Sequence, residues 1–497
     1  MVTKIALVGL DGVGLDALGM FSDYMPFLKN LVRHSPVFKI NTTPPYTPPI
    51  WTSIATGVNP GKHGVIGFTQ VKYTGNKFVL HAANSFNVRY PRIWEYLSLL
   101  NKRSIVVNFP LTYPFNAMYL DNNVVLVPGW DSPRIEAHPS NVAERFPGLL
   151  VVGKHKWDRF LVKNNEKYVK SYLDRLKKAL HIRLNALKRL MSRFEHELLA
   201  LIISETDWIQ HLVVRTKADI EEYSTIADIL GMIDDFLKHV SDEYDYVFIT
   251  SDHDHHTYTA CYNIIYPLVK ENLLEMYIEV KNKKNKDATT PLIHVLNKFI
   301  NISVYRRVAL STIILRKALI SSIAKLVHGR VKYRNVFVAE ENIGLYMAPD
   351  IKKNINELKD LYRSELGLRV YTPSEVFWGP YLKELPDLLI DFKSLSKSYG
   401  LLNNPVCKKI FETKGRDHYP DGLLVVVSNK ENLRKDRDYV EPWDIGATIH
   451  GLLTGLLPDD MDGDCMSVFD CSVRRAPLSR KLMLIKKIKR LRRREPR

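Results

Sequence analysis

Five short apolar runs set the frame for this chain: KIALVGL (4–10), SIVVN (104–108), LLALII (198–203), YVFIT (246–250) and LLVVV (423–427). Continuous apolar runs of this length, rich in β-formers, are the pattern of strands buried on both faces. Between them lie stretches with helical period, notably Phe160 to Phe194 and Asp219 to Val240. Strands alternating with helices predict an α/β fold, with a mostly parallel central sheet and helices on both faces. In open sheets of this kind, sites form at the C-terminal ends of the strands. Three of the runs lead there into chemistry-bearing residues: Asp11-Gly12, Asp207 with His211, and Asp252-His253.

The pattern changes over 266–337. A Lys/Asn-rich run (281–287) reads as an exposed loop, and Arg306–Val327 carries many Leu, Ile and Ala with few charges. This predicts an inserted, mainly helical subdomain between two parts of one catalytic α/β domain, 1–265 and 338–473. Residues 474–497 form a basic tail. The net charge of +17 is concentrated there, because Arg474–Arg497 holds 12 Lys/Arg and one Glu, or +11, leaving +6 for the rest. A nucleic-acid-binding groove in the body is therefore not indicated. Positions 481–494 can form a basic amphipathic helix able to lie on an anionic membrane surface. The competing reading is a solvated tail.

Four cysteines occur, Cys261, Cys407, Cys465 and Cys471, with no CxxC pair. A zinc ribbon or redox motif is thus not indicated, and the sequence leaves open whether Cys465 and Cys471 pair. The N-terminus lacks the features of a secretory leader, and no apolar run reaches about 18 residues. The expectation is a cytoplasmic protein, peripheral at the membrane if its tail binds there.

The segment Tyr46-Thr47-Pro48-Pro49-Ile50-Trp51 to Gly57 reads as a capped helix. Thr is a good N-cap, proline suits the first turn, and glycine ends helices. A hydroxyl at a helix N-terminus, beside free N–H groups, is a place for a phosphate. Asp207 and His211 stand four residues apart and can face one way. Asp252 and His253 leave a strand end together, and His418 precedes the last apolar run. Carboxylates mixed with neutral imidazoles suit Zn²⁺, Mn²⁺ or Fe²⁺ better than Mg²⁺ or Ca²⁺.

The ordered set GLDG (9–12), TPPIWTSIATG (47–57), ETDWIQH (205–211), SDH (251–253) and DHYPDG (417–422) resembles the alkaline phosphatase superfamily, in its type I phosphodiesterase/nucleotide pyrophosphatase branch. The resemblance runs from residue 4 to about 470. It implies an alkaline phosphatase-like fold and a hydrolase that cleaves phosphodiester or pyrophosphate bonds. Thr47 would be the nucleophile and would form a phosphothreonine. Asp207, His211 and His418 would hold one divalent transition metal. Asp11, Asp252 and His253, with Thr47, would hold a second. Zinc is the expected ion, with manganese or iron as alternatives.

The substrate is expected to be a nucleotide, lipid or sugar diester, since residues 48–51 lack the phosphate-gripping Arg of monoesterases. Phosphomonoesterase, phosphomutase and sulfohydrolase activities are the alternatives within the superfamily. A membrane-associated binding protein on an inactive scaffold is the alternative outside it. Two departures stand out. Ile50 replaces the Asn that nucleotide-cleaving relatives carry, and Asp254-His255-His256 replaces the Gly that follows SDH. The extra acid and imidazoles could crowd the site, support the metal ligands through hydrogen bonds or bind a further ion, and the supporting role is the expectation.

Overall fold

A computed structural model describes residues 2–134, 136–151, 166–212, 217–278, 331–404, 408–469 and 471–492. Eight strands form the central sheet in the order Tyr439–Val440, Val37–Ile40, Gly422–Ser428, Tyr246–Thr250, Ile5–Leu10, Leu198–Ile203, Ser104–Phe109, Val124–Pro128. Only Gly422–Ser428 runs antiparallel to its neighbours; the remaining pairings are parallel. The expected mostly parallel α/β sheet is what the chain forms. All five apolar runs are strands of it, joined by three strands that the runs did not mark.

Alternation along Ile5–Leu10 shows how both faces are used. Ala6, Val8 and Leu10 join one apolar cluster, with residues of the helices Pro26–His34, Glu166–Met191 and Ser224–Glu243. Ile5 and Leu7 join the other, with the helices Thr47–Thr56, Ile93–Leu99 and Pro442–Thr454. Burial on both faces is why these strands read as unbroken apolar runs.

Two smaller sheets complete the frame. Asp254–Asn263 lies between Tyr399–Leu402 and Ile410–Tyr419. Val336–Val338, Gly344–Met347, Leu388–Ile390 and Val370–Tyr371 form an antiparallel sheet over a third apolar cluster. Within the segment 266–337, the described part holds the helix Tyr266–Lys270 and the paired strands Met276–Ile278 and Val331–Tyr333. Residues 279–330, which include the helix expected over Arg306–Val327, lie outside the described residues, as does Cys407. Cys465 and Cys471 are joined by a disulfide, and Cys261 is buried with a free thiol.

Within the basic tail, Arg474–Ala476 pairs with Leu456–Pro458 and Leu478–Arg492 is a helix, which is docked. Leu478 and Leu482 are buried in the second cluster. Ser479 Oγ shares hydrogen bonds with Tyr90 and Tyr96, and Lys486 reaches the buried Glu95 at 2.8 Å. This stripe at i, i+4 and i+8 uses one face only. Met483, Leu484 and Ile488 remain exposed. No described helix is long and apolar enough to cross a membrane.

His63 and His450 are fully buried, and burial lowers their rings to about 3 and about 4. Both stay neutral in the folded chain, whereas in the unfolded chain each takes up a proton near pH ~6.5. Their contribution to stability is complete above that pH and is lost as pH falls toward 4. We expect the urea-unfolding midpoint to decline across this window, and the decline to be shallower in His450→Gln. An identical slope in that variant would contradict the assignment.

Candidate functional site

The C-terminal ends of Ile5–Leu10, Leu198–Ile203 and Tyr246–Thr250, adjacent in the sheet, deliver Asp11, the helix Glu205–Leu212 and the Asp252-His253 pair to one place. Hydrogen bonds fix their relative positions. Thr206 Oγ1 donates to the Asp11 carbonyl at 2.7 Å, and Gln210 Nε2 donates to the Gly12 carbonyl at 2.7 Å. The Gly12 N–H donates to Asp252 Oδ1 at 3.2 Å, and the Val13 N–H to Ser251 Oγ at 2.8 Å. Arg416 donates through Nε and Nη2 to Gln210 Oε1, which ties in the strand that carries His418. Arg183 closes the base of the helix by gripping both carboxylate oxygens of Glu205 at 2.7 Å.

Two groups of side chains converge there. Asp11, Asp252 and His253 form one, fully buried. His253 Nε2 lies 3.4 Å from Asp252 Oδ2, 3.9 Å from Asp11 Oδ1 and 3.4 Å from Thr47 Oγ1. Its Nδ1 faces the Asp254 carbonyl at 3.1 Å. A carbonyl only accepts, so Nδ1 carries a proton and donates it there, leaving Nε2 as the atom that faces the two acids. Asp207, His211, His255 and His418 form the other group. The rings of His253 and His418 are 4.0 Å apart between centroids, so the groups adjoin.

The electrostatics ask for cations. Burial, then each other's proximity, raises the Asp11 carboxyl, and burial pushes Asp252 up to about 7. Asp11 Oδ1 and Asp252 Oδ2 are buried with no hydrogen-bond partner. Two buried carboxylates facing one another fit a bound cation, which would supply the missing partner. Burial also lowers His255 and His418, which keeps both imidazoles neutral and able to ligate. Asp207 is held well below its usual range: burial opposes this, and His211 and His255 outweigh it.

All seven residues singled out in the sequence are therefore brought together, and two details differ from expectation. Thr47 is the first residue of its helix, and the N-cap is Tyr46, which makes no side-chain cap. Pro48 and Pro49 lack N–H groups, so the first turn offers fewer free donors than a typical helix start. The Thr47 hydroxyl faces His253 instead of capping.

The Asp254-His255-His256 insertion also splits by geometry. Asp254 accepts from the N–H groups of Asp16 and Ala17, at the start of the helix Leu15–Phe21. His256 Nε2 donates to the Tyr399 carbonyl at 2.9 Å. Successive side chains alternate on a strand, so His255 turns the other way, toward Asp207, His211 and His418. Sequence reading did not place it there, because its face depends on pairing with residues 410–419.

The helix Thr47–Thr56 is held by close backbone approach. A Cβ at Gly9 would stand 2.4 Å from the Trp51 ring, and one at Gly446 would stand 2.1 Å from the Ile54 carbonyl oxygen. A row of aromatic rings that sequence reading also missed flanks the site: Tyr46–Phe68 at 6.0 Å, Phe68–Trp130 at 4.9 Å and Trp130–Trp208 at 6.1 Å. Glu340 accepts from Tyr46 Oη and the Phe68 N–H and fixes the near end of the row.

The type I phosphodiesterase / nucleotide pyrophosphatase family profile matches residues 5–335, more than half of the chain. The chain belongs to this family. It is a phosphoryl hydrolase with an alkaline phosphatase-like fold, and the family implies dependence on divalent metal. Among solved structures it is similar to phosphonoacetate hydrolase from Sinorhizobium meliloti 1021, at 14% identity and a TM-score of 0.56, covering 90% of this chain and 95% of that one. It also aligns with human ectonucleotide pyrophosphatase / phosphodiesterase 5, at 13% identity and a TM-score of 0.47, over 91% and 95% of the two chains. No curated protein sequence matches.

Proposed function

We propose that this family member hydrolyses phosphodiesters or pyrophosphates through a phosphothreonine on Thr47, with two divalent ions in the paired groups. The observation that carries the reading is the Thr47 hydroxyl, 3.4 Å from His253 Nε2 and set against the unpartnered buried oxygens of Asp11 and Asp252. Asp207, His211 and His418 would hold one ion; Asp11, Asp252 and His253, with Thr47 Oγ1, the other. The mixed carboxylate and imidazole donors favour zinc, with manganese or iron as alternatives. Bound ions would supply Lewis-acid chemistry, lowering the pKa of a hydroxyl and neutralising phosphoryl charge.

The chain's own residues do the rest. Thr47 Oγ1 attacks phosphorus, forming the Oγ1–P bond as the ester bond to the leaving group breaks. Water then cleaves the Oγ1–P bond, releasing the phosphoryl product and restoring Thr47. Burial of the helix by Trp51 and Ile54 keeps the attacking oxygen in place. Phe68 and Trp130, the partly exposed middle of the aromatic row, offer an apolar face to an organic group, as a nucleotide, lipid or sugar diester requires. The direct test measures metal content and compares an aryl phosphodiester with the matching monoester and a sulfate ester. About two ions per chain and faster diester cleavage are expected. A metal-free protein sinks the proposal, and faster monoester or sulfate cleavage replaces the diester assignment.

The docked C-terminal helix supports an anionic lipid surface as a partner. Leu484 and Ile488 lie one turn apart and exposed, with Met483, among exposed Arg480, Lys481 and Lys487. Cationic and apolar groups on one exposed surface suit an anionic bilayer. Deleting the helix would also remove the buried Leu478 and Leu482, so the informative variant is Leu484→Ser with Ile488→Ser. It should lose most binding to phosphatidylserine-containing vesicles while keeping small-substrate turnover. Undiminished vesicle binding would refute the surface.

A further inference from the structure

We propose that His255 Nε2 is a fourth protein ligand of the ion held by Asp207, His211 and His418. The inference rests on the two-metal reading above and extends it, since that reading fills this position with three protein donors.

Geometry carries the assignment. Three ring nitrogens face one oxygen: His255, His211 and His418 place Nε2 at 2.8, 3.2 and 3.8 Å from Asp207 Oδ1. The Nε2 atoms of His211 and His418 are 2.8 Å apart. Donors bound at about 2.0–2.1 Å to a common tetrahedral centre are spaced roughly 3.3 Å from one another, and these separations bracket that value. All three rings converge on that one carboxylate oxygen, as donors around a common centre would. His255 Nδ1 is buried with no hydrogen-bond partner, so the ring's one polar engagement is the Nε2 in the group.

The backbone explains how the donor arrives. His255 lies directly opposite His418 in the antiparallel pair formed by Asp254–Asn263 and Ile410–Tyr419. Directly opposed residues project to the same side of a sheet. Space for the ring comes from Gly12, where a Cβ would lie 2.8 Å from His255 Nε2 and where φ is +70°.

The chemical consequence concerns coordination number. An ion with three protein donors keeps an open fourth position, whereas four protein donors close a tetrahedral shell. A phosphoryl oxygen must then enter as a fifth donor, which favours ions that accept five or six, such as Mn²⁺ or Fe²⁺, in this group.

The experiment loads the full-length protein with Co²⁺ and follows binding and visible absorption for the wild type, His255→Ala and His256→Ala. Wild type should bind two ions. His255→Ala should bind one of them at least about tenfold more weakly, with an altered d–d spectrum, and His256→Ala should match wild type. Anomalous diffraction from Co²⁺-loaded wild-type crystals should place His255 Nε2 at bonding distance from an ion, and this needs no variant to fold. Equal affinities and spectra in wild type and His255→Ala, or His255 Nε2 beyond about 3 Å from both ions, overturn the inference and leave the two-metal reading standing. No Co²⁺ uptake by wild type overturns both.

Discussion

Thr47→Ala is expected to lower turnover of any diester substrate by on the order of a thousandfold or more while the protein keeps its metal. The two readouts separate because Thr47 would contribute one oxygen to a site whose other proposed donors, Asp11, Asp252 and His253, come from two strand ends. The helix should also survive, since Thr47 provides no side-chain cap that alanine would remove. Turnover and metal content are measured on one preparation. Turnover within a few-fold of wild type would end the nucleophile assignment. Joint loss of metal and turnover would make Thr47 chiefly a ligand.

Glu205→Gln should destabilise the fold by about 3–5 kcal/mol, because it leaves a buried guanidinium without its carboxylate. Arg183 and Glu205 are almost wholly buried and meet through two 2.7 Å hydrogen bonds. The pair joins the long helix Glu166–Met191 to the helix that carries Asp207 and His211. A lowered denaturation midpoint with an unchanged m-value would be the signature. A change below about 1 kcal/mol, in the range of exposed pairs, would contradict this account.

What the sequence revealed follows from where each feature's determinants lie. The runs at 5–10, 198–203 and 246–250 were legible because burial on both faces leaves no polar gaps. Val37–Ile40 and Tyr439–Val440 are short, and Tyr439 is exposed, so neither stands out from its surroundings. The seven site residues were legible because strand ends and a one-turn spacing fix them locally, and the family resemblance joined them. His255 was not, since its face is set by pairing with residues some 160 positions away. The docking of Lys486 against Glu95 was hidden for the same reason, as nearly 400 residues separate the partners.

The lone antiparallel strand, Gly422–Ser428, has a consequence for synthesis. It sits between Val37–Ile40 and Tyr246–Thr250, so Val37–Ile40 cannot join the sheet until the ribosome has passed residue 422. His418 emerges just ahead of it. Between residues 253 and 418 a nascent chain thus carries Asp11, Asp207, His211, Asp252 and His253 without the imidazole that completes the group of Asp207, His211 and His255. Entry of Val37–Ile40 into the sheet and assembly of His418 with Asp207, His211 and His255 become a single late event.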